Sequence, residues 1–188
     1  MNLHHNFPKP GKRIAVIGVT GSGKTTLAAG LARALGLTHV ELDALHWEAG
    51  WTEAPLPIFR ARVEQALIAP GWVTDGNYFK VRDIIWSQAD TVVWLDYAFL
   101  TCLWRLTRRS VRRAVRREEL WNNNYESWRG LFLSKDSLFL WLFKTHPQRK
   151  REYPRLLALP ENVHLALIRL RSPRQASAWL ASLQQPTA

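Results

Sequence analysis

The stretch that decides the fold is AVIGVTGSGKTTLA, residues 15–28. It begins as an apolar strand, passes through three glycines (Gly18, Gly21 and Gly23) and continues into residues that favour helix. Residues 18–25 fit the pattern G-x-x-x-x-G-K-[ST], in which glycines let successive backbone N–H groups point at phosphate oxygens. The full pattern in a strand-to-helix context disfavours a turn that only connects two elements, and it predicts a nucleotide-binding loop.

Each position of this loop has an expected role. Lys24 is expected to reach the β- and γ-phosphates, and the Thr25 hydroxyl is expected to ligate Mg²⁺. A helix that begins near Lys24 adds the positive end of its dipole. The predicted ATP-binding residues are Gly18, Thr20, Gly21, Ser22, Gly23, Lys24, Thr25 and Thr26.

Length and composition indicate one soluble globular domain with a core of ordinary size, since the chain has 188 residues, of which 47% are hydrophobic and 22% charged. The single cysteine, Cys102, excludes an internal disulfide framework and a zinc site built from several thiolates. The sequence shows no secretory signal and no uninterrupted apolar run of the ~18 residues that a membrane span needs. We therefore predict a cytoplasmic protein without a membrane partner.

Predicted strands alternate with predicted helices along the chain. The strands are expected at 13–19, 39–43, 72–76, 91–96 and 163–170. The helices are expected at 24–35, 58–69, 81–88, from about 99 to 118, as one or two helices within 131–158, and after Pro173. This alternation predicts an α/β fold, in which a five-stranded parallel sheet carries helices on both faces.

Acidic and polar residues follow three of the predicted strands. Asp43 follows the second strand, DGNY (residues 75–78) follows the third, and Asp96 follows the fourth. A single aspartate after a strand is often only a helix cap or a turn residue. Because ligands bind beyond the carboxyl ends of parallel strands, the convergence of these residues with the phosphate loop predicts a site at that edge.

Several segments together resemble a known family. ELDALHW (41–47), WVTDGNY (72–78), VVWLD (92–96) and RLTRRSVRR (105–113), with the phosphate loop, resemble P-loop kinases of the adenylate kinase-like group. The branch labelled FlaR-type or "DNA topology modulation" proteins is the most similar, and the resemblance extends from residue 13 to about 184. It implies a P-loop NTPase fold in a single domain, residues 1–188, whose helical lid and insertion occupy about 105–158.

The resemblance also implies roles for individual residues. Asp43 would hold the acceptor hydroxyl or a metal-bound water. Asp75 would hold Mg²⁺ through water, with Asp96 as the other candidate. Arg105 and Arg109 would lie on either side of the transferring phosphoryl group at the base of the lid.

The acceptor is not specified by the resemblance. Adenylate kinases usually read G-K-G-T in the loop and carry Pro-Arg after the DG-x motif, whereas this chain reads G-K-T-T and has Asn77-Tyr78, with Arg82 further on. AMP is therefore not implied, and a zinc-bearing lid is excluded by the single cysteine. Trp47 and Trp51 could stack on the acceptor or enclose it, and His46 could help with proton transfer. The predicted acceptor-binding residues are Asp43, Trp47, Asn77, Tyr78 and Arg82.

The predicted helix after the fourth strand is rich in arginine. Seven arginines follow one another at steps of one, three and four residues, which predicts that they share a helical face: Arg105, Arg108, Arg109, Arg112, Arg113, Arg116 and Arg117. Like charges at i,i+4 repel, so the row indicates an anionic ligand. The net charge of +11 favours polyanionic partners in general. Arg105 and Arg109 are expected to hold ATP phosphates, and the remaining arginines could extend the site to nucleic acid.

These observations favour an ATP- and Mg²⁺-dependent kinase, a transferase that acts on a nucleoside triphosphate and a small-molecule acceptor. A nucleic-acid-associated P-loop NTPase, or a nucleotide-regulated DNA-binding protein, is the alternative that the charge of +11 and the label of the FlaR-type branch support. The absence of a helix-turn-helix or zinc-finger pattern disfavours it. A nonenzymatic nucleotide-sensing switch is the third interpretation.

Overall fold

A computed structural model of the protein describes residues 8–116, 121–123 and 138–184. The strands of these residues are β1 (Arg13–Gly18), β2 (Thr38–Glu41), β3 (Trp47–Glu48), β4 (Thr52–Glu53), β5 (Trp72–Asp75), β6 (Thr91–Leu95) and β7 (Ala166–Leu170). The α-helices are α1 (Lys24–Leu35), α2 (Leu42–His46), α3 (Leu56–Ala66), α4 (Arg82–Gln88), α5 (Phe99–Arg116), α6 (Leu138–Leu157) and α7 (Pro173–Gln184).

Five strands form one parallel sheet in the order β2-β5-β1-β6-β7. β1 lies at its centre and pairs with β5 on one side and β6 on the other. The pairing with β5 ends where Val16 lies opposite Asp75, whereas the pairing with β6 continues to Gly18 opposite Leu95. The predicted five-stranded parallel sheet of an α/β fold is confirmed.

Alternation along β1 distributes its side chains to two apolar cores. Ile14 and Val16 pack with α1, α5 and α7, whereas Ala15 and Ile17 pack with α3 and α4 on the opposite face. Helices therefore cover both faces, as predicted, and burial on both faces explains why β1 is apolar from Ile14 to Ile17. The tryptophans predicted to be packing residues are buried in these cores: Trp72, Trp86 and Trp94.

Helix α6 connects the two cores. Leu142, in its first half, packs in the core that contains α5, and Tyr153, in its second half, packs in the other core. It continues as one helix through Pro147 and Pro154, and residues 131–137 of the predicted helical segment lie outside the described residues. No described helix combines the length and the apolar character that crossing a membrane requires.

The structure differs from the predicted elements in three places. β2 ends at Glu41, because the chain turns there to bury Leu42 in the core, so Asp43 lies in the first turn of α2 rather than in a strand. The tryptophan-rich segment, predicted as a loop, contains the antiparallel hairpin β3–β4, whose turn uses Gly50 at φ 71°. The last strand begins at Ala166 instead of residue 163.

Helix α5 lies directly against the phosphate loop. A β-carbon on Gly21 would overlap the carbonyl oxygen of Cys102, and it would lie 3.0 Å from the Cβ of Leu106. A β-carbon on Gly23 would lie 2.6 Å from a terminal nitrogen of Arg105. The loop glycines are therefore required by the close approach of α5 as well as by their own backbone conformation.

Replacement of Gly21 by alanine tests this contact. Gly21 (φ 76°) and Gly36 (φ 65°) have similar left-handed conformations, but only Gly21 faces another backbone. We expect Gly36→Ala to lower the free energy of unfolding by about 1 kcal/mol, and Gly21→Ala by about 3 kcal/mol, because α5 must also move. Urea denaturation of both variants measures the difference. Equal losses would contradict the close packing of α5 on the loop.

Candidate active site

The phosphate loop curls through three residues with positive φ: Gly18 at 150°, Gly21 at 76° and Gly23 at 91°. Gly23 is the N-cap of α1, and a glycine has no side chain to occupy the amide groups of the first helical turn. These N–H groups and the helix dipole thus face the loop, as anion binding requires. Two other loop residues with predicted roles differ in exposure: Thr20 is half-buried, and Thr26 is exposed.

Two side chains of the loop fit a phosphate ligand. Ser22 is 1% exposed, and its Oγ has no hydrogen-bond partner among the described residues, an arrangement that calls for a ligand group. Lys24 Nζ donates to the carbonyl oxygen of Val19 at 3.1 Å. Desolvation lowers the pKa of Lys24, and the attraction of Asp43 and Asp75 opposes that shift.

Hard oxygen groups suited to Mg²⁺ meet at the end of β5. The Thr25 hydroxyl donates to Oδ2 of Asp75, which is 3% exposed. The other carboxylate oxygen lies 3.0 Å from His39 Nε2. This hydrogen bond raises the pKa of His39, and it holds the Asp75 carboxylate towards Thr25 from the opposite side.

The second candidate for a metal ligand, Asp96, is held by another residue. Its Oδ2 accepts hydrogen bonds from Arg169 Nε at 3.0 Å and Nη2 at 2.6 Å. The guanidinium lies 4.4 Å from the ring centroid of Trp94. The structure places Asp75, and not Asp96, beside Thr25.

Two arginines of α5 contribute charge to the phosphate loop. Arg105 lies against Gly23. Arg109 is close enough to Lys24 to contribute to the lowering of its pKa. Three cationic groups thus surround the loop, an arrangement that a polyphosphate would neutralise.

The row of seven arginines does not form a uniform face. Arg105, Arg109 and Arg113 are partly buried, whereas Arg108 and Arg112 are exposed. The reason is geometric, because steps of three and four residues drift around a helix with 3.6 residues per turn. Arg117 and the side chain of Arg116 lie outside the described residues.

Asp43, the first of the residues predicted to bind the acceptor, lies beside Tyr78. The Tyr78 hydroxyl donates to Asp43 Oδ1 at 2.5 Å, and burial together with this carboxylate raises the pKa of Tyr78. The His46 ring is 4% exposed and lies 4.5 Å from the Tyr78 ring and 4.8 Å from Phe59. Burial lowers the pKa of His46. Its ring contacts make this histidine, at the end of α2, part of an aromatic cluster with Tyr78 and Phe59.

Tryptophans of the hairpin form a rim next to this cluster. Trp47 and Trp51 meet edge to face at 5.6 Å, and Trp51 lies 6.5 Å from Trp121, which follows α5 in the chain. The Asn122 side chain donates to the carbonyl oxygen of Trp47. Trp51 has φ 58°, which is strained for a residue with a β-carbon. The rim is thus held from two segments of the chain.

A cavity of about 30 Å³ lies beneath the end of β5, between the sheet and helices α4 and α6. Its polar lining comprises Asn77, Tyr78, Arg82, Arg149 and Tyr153, among other residues. The Arg82 guanidinium lies over Trp86 at 5.5 Å and 3.7 Å from Glu152, which also accepts from Arg149 at 2.8 Å. The predicted acceptor residue Arg82 therefore lies at this cavity.

Asn77, another predicted acceptor residue, makes its hydrogen bonds to the phosphate loop. Its Oδ1 accepts from the Gly18 N–H at 3.3 Å and from the Tyr153 hydroxyl at 2.9 Å. Its Nδ2 donates to the Gly18 carbonyl oxygen. That Asn77 binds the acceptor stays a prediction. The contacts described here connect its side chain to the phosphate loop.

Sequence analysis missed three residues of the site: His39, Arg149 and Tyr153. Arg149 and Tyr153 are four residues apart on α6, so their shared face was predictable, but the contact of that face with Asn77 was not. His39 shares a face of β2 with Glu41, and only the pairing of β2 with β5 brings it to Asp75. Each omission reflects a contact between distant parts of the chain.

No protein-family model and no curated protein matches the sequence. Solved structures do match. Shikimate kinase from Acinetobacter baumannii, in complex with shikimate, is 19% identical and aligns with a TM-score of 0.55 over 93% of this chain and 91% of its own. Shikimate kinase from Bacteroides thetaiotaomicron is 17% identical, with a TM-score of 0.51 over 92% of this chain and 96% of its own. The chain has the P-loop NTPase fold of these kinases, while the FlaR-type resemblance stays a prediction.

The ion pair of Asp96 should act on stability. The Asp96 side chain is 8% exposed and accepts two hydrogen bonds from Arg169, whose side chain is 35% exposed. Asp96→Asn removes the charge partner of this partly buried guanidinium, and we expect a loss of about 1–3 kcal/mol in the free energy of unfolding. Glu53→Gln is the matched control, because Glu53 is 54% exposed and pairs with Lys80 at the surface; its expected loss is below about 1 kcal/mol. Urea denaturation measures both free energies of unfolding. If Asp96→Asn loses no more stability than Glu53→Gln, a structural role for the Asp96–Arg169 ion pair is contradicted.

Proposed function

We propose that the protein is a Mg²⁺- and ATP-dependent kinase that phosphorylates a hydroxyl or phosphate oxygen of a small molecule. The P-loop NTPase fold and the complete phosphate-loop motif support nucleotide use. The likeness in fold to shikimate kinases, one in complex with shikimate, supports a small acceptor. The FlaR-type resemblance, carried by DGNY and HW, agrees with this proposal.

One observation carries it: the Lys24 ammonium lies within electrostatic reach of both Asp43 and Asp75. The lysine that would hold the β- and γ-phosphates is thus attracted by the carboxylate expected at the acceptor and by the carboxylate expected at the metal, and its neighbour Thr25 donates to the latter. Phosphoryl transfer depends mainly on positioning and charge neutralisation. An arrangement in which these groups interact is suited to that reaction.

The residues would divide the work as follows. The loop amides and Lys24 bind the triphosphate, and Arg105 and Arg109 neutralise charge on the transferring group. Asp43 orients the acceptor oxygen and takes its proton where that oxygen is a hydroxyl, with Tyr78 fixing the carboxylate. The γ-phosphoryl passes from ATP to the acceptor oxygen, and ADP leaves.

Thr25 and Asp75 would hold the metal, Asp75 through water, with His39 orienting the carboxylate. When bound, Mg²⁺ would supply charge neutralisation for the triphosphate. Arg82, at the cavity below, supports an acceptor that carries an anionic group. Trp47, on the hairpin, would cover the acceptor.

Turnover by the wild type and two variants tests the kinase. Wild-type protein with Mg²⁺, ATP and a panel of nucleosides, nucleotides, sugars and hydroxy acids should yield one phosphorylated product, identified by mass spectrometry. We expect Lys24→Ala to reduce turnover by ~10²-fold or more. We expect Asp43→Asn to reduce it by ~10²–10⁴-fold, with the ATP dissociation constant nearly unchanged. Normal turnover of Lys24→Ala, or lost ATP affinity in Asp43→Asn, would contradict these roles.

The two aspartates at strand ends separate the metal role. We expect Asp75→Asn to raise the Mg²⁺ concentration needed for half-maximal ATP binding by ~10-fold or more, because it weakens the ligand beside Thr25. Asp96→Asn, which changes a carboxylate held by Arg169, should leave that concentration unchanged. Calorimetric ATP titrations at a series of Mg²⁺ concentrations give both values. The reverse pattern would place the metal at Asp96.

The distribution of charge favours a second candidate, the nucleic-acid-associated NTPase. Helix α5 has six arginines and no acidic residue, and α6 has five basic residues and one acidic residue, so these helices carry ten of the eleven net positive charges. Arg108, Arg112 and Trp104 are exposed on α5. ATP hydrolysis that duplex DNA stimulates and salt suppresses, with no phosphorylated acceptor, would favour this candidate. Nucleotide binding without turnover would indicate the switch.

A further inference from the structure

The first residue of the phosphate loop lies where the central strand loses one of its neighbours. β1 pairs with β6 as far as Gly18 opposite Leu95, but its pairing with β5 ends two residues earlier, at Val16 opposite Asp75. Beyond Asp75 the chain turns away at Gly76, which has φ 146°. Gly18 therefore has a strand partner on one side only.

The Asn77 side chain occupies the other side. Its carboxamide accepts from the Gly18 N–H and donates to the Gly18 carbonyl oxygen. In a parallel sheet, two successive partners on the neighbouring strand would make these two hydrogen bonds, so the amide of Asn77 replaces the missing continuation of β5. A carboxamide can accept and donate at once, whereas an ionised aspartate can only accept.

Tyr153 fixes the carboxamide from α6. The Tyr153 hydroxyl donates to Asn77 Oδ1 at 2.9 Å. The tyrosine is 3% exposed, and its ring packs edge to face on Trp94 of β6 at 5.6 Å. Asn77 Oδ1 thus accepts two hydrogen bonds, one from the phosphate loop and one from α6. Together they define the orientation and the position of the amide.

We propose that Asn77 and Tyr153 are positioning residues for the nucleotide: Asn77 holds the Gly18 peptide, Tyr153 holds Asn77, and the pair sets where the phosphate loop begins. This inference rests on nucleotide binding by the loop, as proposed above. It assigns to Asn77 a role in ATP affinity instead of the predicted contact with the acceptor. Because Tyr153 acts only through Asn77, its contribution depends on the asparagine.

Direct binding of ATPγS in the presence of Mg²⁺, measured by calorimetry on the full chain, tests the pair. We expect Asn77→Ala and Asn77→Asp to weaken binding by about tenfold or more, and Tyr153→Phe, which removes one hydroxyl, by about threefold. In the Asn77→Ala background, Tyr153→Phe should have no further effect. Two asparagine variants are used so that a folding defect in one does not decide the outcome.

Asn162→Asp is the matched control. Asn162 also donates from its side chain to a backbone carbonyl, that of Leu156 at 2.8 Å, but it lies in the turn before β7. The same chemical change there should leave ATPγS affinity within twofold of the wild type. If the Asn77 and Tyr153 variants only loosened the fold, they would raise the KM values for ATP and for the acceptor alike. A positioning role raises the KM for ATP and leaves the KM for the acceptor unchanged.

The outcomes separate the two proposals. If the wild type binds ATPγS and the folded Asn77 variants bind it equally well, the positioning role is overturned and the nucleotide site stands. If Tyr153→Phe weakens ATPγS binding as much in the Asn77→Ala background as in the wild type, the claim that Tyr153 acts through Asn77 is overturned. If the wild type does not bind ATPγS, both proposals fail together.

Discussion

The close approach of α5 to the phosphate loop is the contact on which the rest of the site depends. The Cys102 carbonyl leaves no room for a β-carbon at Gly21, and Arg105 occupies the space that a side chain at Gly23 would need. A side chain at Gly21 would strain the loop backbone and block the approach of the helix, whereas one at Gly23 would strain the backbone and displace the end of the Arg105 side chain. The same glycines that expose the loop amides therefore also bring the first arginines of α5 to those amides.

This packing gathers positive charge at the phosphate loop. Lys24, Arg105 and Arg109 lie around the loop, and burial lowers the pKa of Lys24. Attraction to Asp43 and Asp75 opposes that shift, and these carboxylates are hydrogen-bonded to Tyr78 on one side and to Thr25 and His39 on the other. A bound polyphosphate would add negative charge beside the three cations, and a divalent cation would offset part of it.

The sequence predicted what short-range chemistry determines. The motif at residues 18–25 specifies its own backbone, so the loop, β1 and α1 could be placed from the sequence, and the alternation of elements predicted the parallel sheet. Contacts between distant residues were not predictable. Asn77 is predicted to bind the acceptor, and that role stays a prediction, but its hydrogen bonds to Gly18, 59 residues away, could not be predicted. Asp96 is predicted as the other candidate for the metal, and its ion pair with Arg169, 73 residues further on, could not be predicted either.

The central claim is that this loop recognises the phosphates of a nucleotide. The most direct measurement compares the binding of ATP in the presence of Mg²⁺ with the binding of adenosine, by isothermal titration calorimetry on the wild-type chain. Recognition by loop amides, Lys24 and the α5 arginines predicts that ATP binds at least ~10²-fold more tightly than adenosine, with an affinity that falls as salt increases. Equal affinities, or no heat of binding with ATP, would contradict the account.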